Sequence, residues 1–536
     1  MELISQQTKK IMEGCKERAR AAGLRFEDET LEYVVTNRDM LELTPKVMIP
    51  TLYDYWVHDV EVLREKGKYE LYPSNPYETV INTRPAISFY NDNNPDWLNV
   101  MIFYHVLAHI DFFQNNLYFR HTWDYDLAGQ ALADKRLIAR LRSEHGRWVD
   151  YVIEFARGID NLVNFHGELS SLHRAENGCS PRLDFFFDVF LQQLRPVSTS
   201  EYMKQVEAYN QACRTAGEMG EQSFFATVVL EYPEFEAAFD KHQGEKGRKT
   251  SDLLQFLLDN SPMLNSDENL WMKSILQIVR STSVYFQPQI RTKIMNEGWA
   301  SYWHETLFMQ DDRIRGHEIS FARVNAGVTA MPRVGLNPYA LGMRLFYFIE
   351  EAANRGCYSH DYRRLKNMEQ RRHFDKILGK GREYIFEVRE NYSDFTLLNS
   401  FVDQDFVDCN QLFVSGRRLN KERMTWEYFV KSRHVDDYRQ MLFDSLYHPP
   451  RIVIDEEKSR EGVLYLNHII EGKPLVQEYI ANTMLGIEFL WGGTVCLETS
   501  DAQVKAEDEE GDAPEVISWS RVLYQMKERK LERTLL

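Results

Sequence analysis

The stretch "NEGWASYWH", Asn296–His304, packs an acid, a histidine and two tryptophans into nine residues with no turn signal between them. At helical spacing Glu297, Ser301 and His304 fall at i, i+4 and i+7, on one face. A carboxylate and an imidazole therefore share one stripe walled by aromatic rings. Two readings are open: a hydrogen-bonded polar cluster inside a core, or half of a site.

A second stretch has the same character. "FYHVLAHIDFFQNN", Phe103–Asn116, places His105 and His109 at i, i+4, one turn apart on one helix face. That spacing lets two imidazoles reach one metal ion. Phe112 continues the face and Asp111 lies off it. Two histidines on one helix and a glutamate on a distant helix follow the ligand logic of gluzincin-type metallopeptidases, in which H-E-x-x-H is followed by a later N-E-x-x-A helix. His105 and His109 are then the imidazole ligands and Glu297 the carboxylate, with water or His304 in a fourth position. Zn²⁺ is the divalent ion such a set suits first. The residue after the first histidine is Val106, where the peptidases carry the glutamate that activates the bound water. The catalytic base is then sought at Asp111, Glu305 or Glu318. The alternative keeps all four residues as paired polar groups within an aromatic core.

Outward from these helices, most of residues 1–390 reads as helix. "LADKRLIARLRSEHGRWVDYVIEFARGIDNLV" and "YMKQVEAYNQACRTAGEMGEQSFFATVVLEY" repeat apolar residues every three or four positions. "TSDLLQFLLDNSP" opens on a cap residue and stops before Pro262. "NPYALGMRLFYFIEEAANRG" has Pro338 at its start and Gly356 past its end. "HQGEKGRK" reads as a short solvated linker. "YETVINTRPAISFY", Tyr77–Tyr90, either brings Glu78, Asn82 and Arg84 to a cleft or is a helix end turned by Pro85. After about residue 390 short β-rich runs appear: "QLFVSG", "TWEYFVKSR", "PRIVIDE", "GVLYLNHI" and "GTVCLETS". The expected fold class is α+β. A large, mostly helical, zincin-like domain over 1–390 carries the metal site. A small α+β domain over 391–536 follows, with an acidic disordered loop at 500–515, a last strand and a terminal helix.

Bulk composition narrows the function. The chain has 536 residues, 81 acidic against 64 basic, and a formal net charge of −17. Long-range attraction to nucleic acid or to an anionic membrane is disfavoured. No run approaches the roughly 18 apolar residues of a membrane helix. The N-terminus lacks the apolar centre of a secretion signal. None of the six cysteines stands at C-x-x-C spacing, so free thiols and a cytoplasmic location are expected. Neither phosphate-loop glycine motif nor a G-x-S-x-G elbow is present.

Taken together, "HVLAHIDFFQNN", "PQIRTKIMNEGWASYWH", "GLNPYALG", "IFEVRENYSDFTLLNSF" and "GVLYLNHIIEGKPL…FLWGGTVCLET" resemble the stage V sporulation protein R family, from about residue 70 to about residue 500. The resemblance implies a bacterial cytoplasmic protein with a helical domain and a small α+β domain. Some relatives are tied to formation of the spore cortex. Others, in bacteria that do not sporulate, are encoded beside a serine protein kinase and a von Willebrand A-like protein, the partners so implied. The residues that match are His105, His109, Asp111, Asn296, Glu297 and His304. The chain departs from the family pattern at Tyr55, where a histidine is usual, and at Ser281 and Thr282, where paired glutamates are usual. Two functions follow as expectations: a metal-dependent hydrolase, with Asp111 and His304 as catalytic residues, or a non-enzymatic assembly or regulatory protein acting with a kinase.

Overall fold

The computed structural model describes residues 2–3, 6–27, 29–36, 78–122, 127–170, 180–246, 252–312, 315–420, 423–460, 462–505 and 516–536. Tyr55, one of the family departures, lies outside them. The fold is α+β and mostly helical, as the periodicity predicts. It forms two compact units, each made of two chain segments. The first joins Met1–Arg157 to Trp271–Pro450, and the second joins Gly158–Leu270 to Arg451–Leu536. A boundary near residue 390 is therefore not where the units divide. Leu397, Leu398, Phe401, Phe406 and Leu442 belong to the same buried core as Phe103, Leu107, Trp299 and Trp303. The apolar residues of the short helices between 394 and 445 close on the core of the first unit.

The centre of the first unit is helix α2 (Asp96–Asn115), which follows α1 (Gln6–Ala21). From Val100 to Phe113 every residue of α2 is buried. A helix apolar on all sides has no solvent face to offer and becomes the core of its domain. Around it stand α3 (Leu270–Arg291), α4 (Lys293–Phe308), α5 (Glu318–Val328), α6 (Pro338–Arg355), α7 (Gly381–Asn391), α8 (Asp394–Phe401) and α9 (Val435–Ser445). Asn337 caps α6 by accepting from the amides of Tyr339 and Ala340, and Gly356 ends it in the left-handed region at φ 79°.

Two contacts set the place of α4. Gly298 on α4 meets Gly342 on α6: a Cβ built on Gly342 would lie 2.7 Å from the Gly298 Cα, and one built on Gly298 would lie 2.8 Å from the Met343 nitrogen. The two backbones touch with no side chain between them. At the start of α4, the Asp394 carboxylate accepts from the amides of Ile294 and Met295, both at 2.9 Å. It caps one helix from the first turn of another. Burial pushes its pKa up to about 7, against the pull of those amides.

Strands also occur where helix was expected. β1 (Glu2–Leu3), β2 (Thr30–Val35), β3 (Glu78–Ile81) and β4 (Ala86–Asn91) form a sheet in the order β1-β2-β4-β3. β2 runs parallel to β4 in the register Thr30↔Ala86 to Val35↔Asn91. From Glu78 to Tyr90 the stretch is thus a hairpin turned at Asn82–Pro85, not a helix end. Its β-branched Thr79, Val80, Ile81 and Ile87 suit the pleated surface better than a helix. β5 (Val414–Asn420) and β6 (Thr425–Ser432) make a separate two-stranded ribbon.

In the second unit, Phe185, Phe186, Phe190, Phe224, Phe225 and Phe235 pack into one aromatic core. They come from a π-helical stretch, Phe185–Leu194, and from the helices Gly220–Glu231 and Phe235–Lys246. The last of these runs into the stretch "HQGEKGRK", which is helix as far as Lys246 and not wholly linker. The other segment supplies β7 (Arg451–Ile454), β8 (Val463–Ile469), β9 (Thr494–Lys505), β10 (Val516–Lys527) and β11 (Lys530–Leu535), in the order β11-β10-β9-β8-β7. Only β8 and β9 are parallel, and α10 (Gln477–Trp491) connects them. The expected terminal helix is a strand. Glu528 and Arg529, at φ 51° and 63°, form a two-residue turn that folds β11 back on β10. Cys15, Cys213, Cys357, Cys409 and Cys496 carry free thiols. Among the described residues no helix is long and apolar enough to cross a membrane.

Candidate metal centre

α2 and α4 lie side by side and antiparallel, because His105 meets His304 while His109 meets Asn296 and Glu297. The i, i+4 pair on α2 puts the His105 and His109 rings 4.7 Å apart, at 81° to each other. The i, i+7 stripe on α4 spans two turns facing that pair from the other side. His105, His109 and Glu297 each offer a ligand atom, and these atoms lie within 4.8 Å of one another. The His109 Nε2 is 3.6 Å from the Glu297 Oε2. Donors bound to one tetrahedral ion at ~2.0–2.2 Å stand roughly 3.3–3.6 Å apart, so small side-chain rotations close this set.

The electrostatics agree with a ligand role. Burial pushes the His105 pKa down to about 4, with Glu297 pulling the other way. Burial and the neighbouring His105 push His304 down to about 3. Both rings are neutral at neutral pH, the protonation state in which imidazole binds a metal. His109 keeps 7 % of its surface exposed and the Glu297 side chain 12 %, whereas His105 has none. The open side of the triad is therefore that of His109 and Glu297.

The outer contacts are specific. The His109 Nδ1 is 2.8 Å from the Asn296 Oδ1. That oxygen can only accept, so the Nδ1 carries a proton, and in the neutral ring the lone pair is on the Nε2, on the side of Glu297. The His304 Nδ1 is 2.7 Å from the His105 Nδ1, and its Nε2 is 2.8 Å from the Asn325 Oδ1. Both nitrogens of His304 are thus engaged, and it stands behind His105 instead of joining the triad as a fourth ligand.

The remaining candidates are placed elsewhere. Asp111 is fully buried. It accepts from the Arg25 amide at 2.7 Å and the Trp299 Nε1 at 2.8 Å, and lies 3.3 Å from the Arg389 Nε. Burial pushes it up to about 6, while Arg389 pulls it back. Its carboxylate is spent on tying α2 to α4 and α7, away from the triad. Glu305 takes the Asn325 Nδ2 at 2.7 Å and the Tyr347 hydroxyl at 3.3 Å. Glu318 is exposed and accepts from the Gly316 amide at 3.1 Å. Val106 is wholly buried in the core. Ser281 lies on α3, where its hydroxyl takes the Gln277 side-chain amide at 3.2 Å, and Thr282 follows it there.

Ser301 is the third residue of the α4 stripe, between Glu297 and His304. Its hydroxyl is buried with no hydrogen-bond partner among the described residues. An unmade hydrogen bond on a buried hydroxyl costs about 1–3 kcal/mol. Ser301→Ala is expected to leave the metal-free protein as stable as the parent, or more stable by up to about 1 kcal/mol, in urea unfolding. A loss above ~1 kcal/mol would show that the hydroxyl has a partner.

Asn325 is the site residue that the sequence does not single out, and Asn296 is named there only as a family match, without a role. The contact of Asn296 with His109 follows from its place directly before Glu297. Asn325 has no such cue, since it comes from α5, outside both motifs.

The chain was compared with known proteins. The family described as SpoVR like protein matches residues 2–448. A curated relative, the "Uncharacterized protein YcgB" of Escherichia coli (strain K12), is 28% identical over 337 residues, which cover 59% of this chain and 58% of that protein. The chain therefore spans a little over half the length of the curated relative it matches. No solved structure matches the chain at a significant level. The family match takes in both motif helices, nearly all of the first unit and the Gly158–Leu270 segment of the second, well over half of the chain: the chain belongs to the SpoVR-like protein family.

Proposed function

We propose that this SpoVR-like chain is a metal-dependent enzyme, hydrolytic in type, with a divalent ion held by His105, His109 and Glu297 on a zincin-like pair of helices. The observation that supports it is the convergence of those three ligand atoms within 4.8 Å from helices nearly two hundred residues apart in the chain. Two imidazoles and one carboxylate suit Zn²⁺, and three protein ligands are the number that leaves a position open for water or substrate. A bound ion would supply Lewis acidity toward a carbonyl or phosphoryl oxygen and would lower the pKa of a coordinated water. The chain's own part is to present neutral imidazoles, to hold the His109 proton on Asn296, and to keep the deep side of the site dry with Val106 and the α2 core. A peptide of the cell wall or a modified protein is the substrate class to try first, by family association.

One observation favours the second reading, a non-enzymatic assembly or regulatory protein acting with a serine protein kinase and a von Willebrand A-like partner. The carboxylate that would serve as base is replaced by buried Val106, and Asp111 and Glu305 are already engaged.

Elemental analysis of protein purified without chelator is expected to find a stoichiometric divalent ion. Glu297→Gln and His109→Ala should each weaken Zn²⁺ binding by more than ~100-fold, because outer-contact changes alone cost 10–100-fold. Metal far below stoichiometry, and unchanged in both variants, would overturn the metal reading. Azide added to the Co²⁺-loaded protein then separates the two functions. A changed visible spectrum means an open coordination position and supports the enzyme, and an unchanged one supports the scaffold.

A further inference from the structure

The geometry points to Asn325 as a positioning residue for the metal ligand His105, acting through His304. The inference rests on the metal reading for its purpose, though not for its geometry. Four side chains stand in a row: Glu305, Asn325, His304 and His105. The Asn325 Nδ2 donates to the Glu305 Oε2 at 2.7 Å, the Asn325 Oδ1 is 2.8 Å from the His304 Nε2, and the two Nδ1 atoms of His304 and His105 are 2.7 Å apart.

Every proton in this row follows from the one before it. A carboxylate accepts only, so the end of the Asn325 amide that faces Glu305 is the NH₂ group. The amide oxygen then faces His304, and an oxygen cannot donate, so the His304 Nε2 bears the hydrogen. A neutral imidazole has one N–H, which leaves the His304 Nδ1 as an acceptor. Two ring nitrogens 2.7 Å apart share one proton, and it must come from the His105 Nδ1. The lone pair of His105 is therefore on its Nε2, the one ring nitrogen not turned toward His304.

The same end state is reached at His109 by a shorter route, through Asn296. Both imidazoles of the triad are thus set to the Nε2-ligand tautomer by amide oxygens, one directly and one across a second histidine. Had either ring the opposite tautomer, it would present an N–H to the ion and could not bind without first moving a proton. Glu305 is kept in place from its other oxygen by the Tyr347 hydroxyl on α6, at 3.3 Å. The row is buried from His105 to Asn325, with His105 and His304 having no exposed surface and Asn325 8 %, and only its outer end, Glu305, is half-buried. Water therefore does not substitute for a lost partner, and Asn325 is irreplaceable by solvent in this role.

The test uses the full chain with ¹⁵N-labelled histidine, free of metal, and reads the side-chain nitrogens by NMR. In the parent the His105 Nδ1 is expected to carry the proton and its Nε2 to be bare. Asn325→Leu, which keeps the volume and removes both amide roles, should give His105 a mixture of tautomers and a 10–100-fold loss of Zn²⁺ affinity. The pair Asn325→Asp with Glu305→Gln keeps an acceptor on His304 and a donor on the new carboxylate, and should bind Zn²⁺ within a few-fold of the parent. A bare His105 Nδ1 in the parent overturns the assignment, as does parental Zn²⁺ affinity in Asn325→Leu. If Asn325→Leu does not fold, the parent spectrum and the double variant decide. If the parent binds no Zn²⁺, the metal reading falls, and the nitrogen spectrum still decides the proton order.

Discussion

Gly342→Ala is expected to destabilise the first unit by about 3 kcal/mol or more. Inserting a methyl into a packed core costs roughly 1–3 kcal/mol when side chains can move aside. Here the new Cβ meets main chain only: the Ile294 carbonyl oxygen and, at 2.7 Å, the Gly298 Cα. Main chain inside a helix has no rotamer to change, so α4 and α6 must separate. Glu297 is the residue before Gly298, and the triad tolerates little movement of α4 relative to α2. Zn²⁺ affinity should therefore fall together with stability. Gly327→Ala on α5 is the matched control. Beyond its own helix backbone, no atom of the described residues lies within 4 Å of its added Cβ, and alanine gains up to about 1 kcal/mol over glycine in a helix. The urea midpoints of the two variants should move in opposite directions. A Gly342→Ala midpoint that matches the parent's would mean that α4 and α6 do not touch through their glycines.

Arg389→Ala should cost about 3–5 kcal/mol, the usual loss when one partner of a buried ion pair is removed. The Arg389 side chain has no exposed surface. Its guanidinium lies against the Trp299 and Phe386 rings, 5.7 and 5.3 Å from their centroids, beside Asp111. Removing it leaves the Asp111 carboxylate in the core with the Trp299 N–H and the Arg25 amide but no buried counter-charge, and leaves a cavity among aromatic rings. The pair Arg389→Met with Asp111→Asn removes both charges and fills part of the space. Its loss should be clearly smaller than the sum of the two single losses, with a coupling of at least ~1 kcal/mol. Additive losses would show that the two groups do not interact. The outcome also bears on Asp111 as a catalytic residue: a carboxylate whose removal costs stability first is a structural tie between α2, α4 and α7.

What the sequence reveals and what it hides divide along physical lines. The His105–His109 pair and the Glu297–His304 stripe are helix-periodic, and a period of 3.6 can be read from one chain. Their convergence needs only that two apolar helices pack, which the aromatic walls of both already imply. Asn325 could not be read in this way, since its part in the site depends on a contact across 21 residues and a turn. The N-terminal sheet was hidden because β1 and β3 are two and four residues long, too short for alternation to stand out. The terminal strand was hidden because Lys, Glu and Arg in "KERKLERTLL" have good helix propensity, and pairing with β10 overrides it. The division into units was hidden because the apolar faces that share a core are hundreds of residues apart.

That interleaved division has a consequence for how the protein is made. The ribosome delivers Gly158–Leu270 first and its companion segment Arg451–Leu536 only after 180 further residues, Trp271–Pro450. At roughly 5–20 residues per second the interval is about 9–36 s. Throughout it the phenylalanine-rich helices of the second unit exist without the sheet that completes their unit. The first unit meanwhile has its opening segment ready and its closing segment still to come. A nascent chain held in this state presents apolar surface for far longer than helices take to form. Synthesis speed and chaperone supply, more than final stability, are therefore expected to govern the yield of this protein in a foreign host.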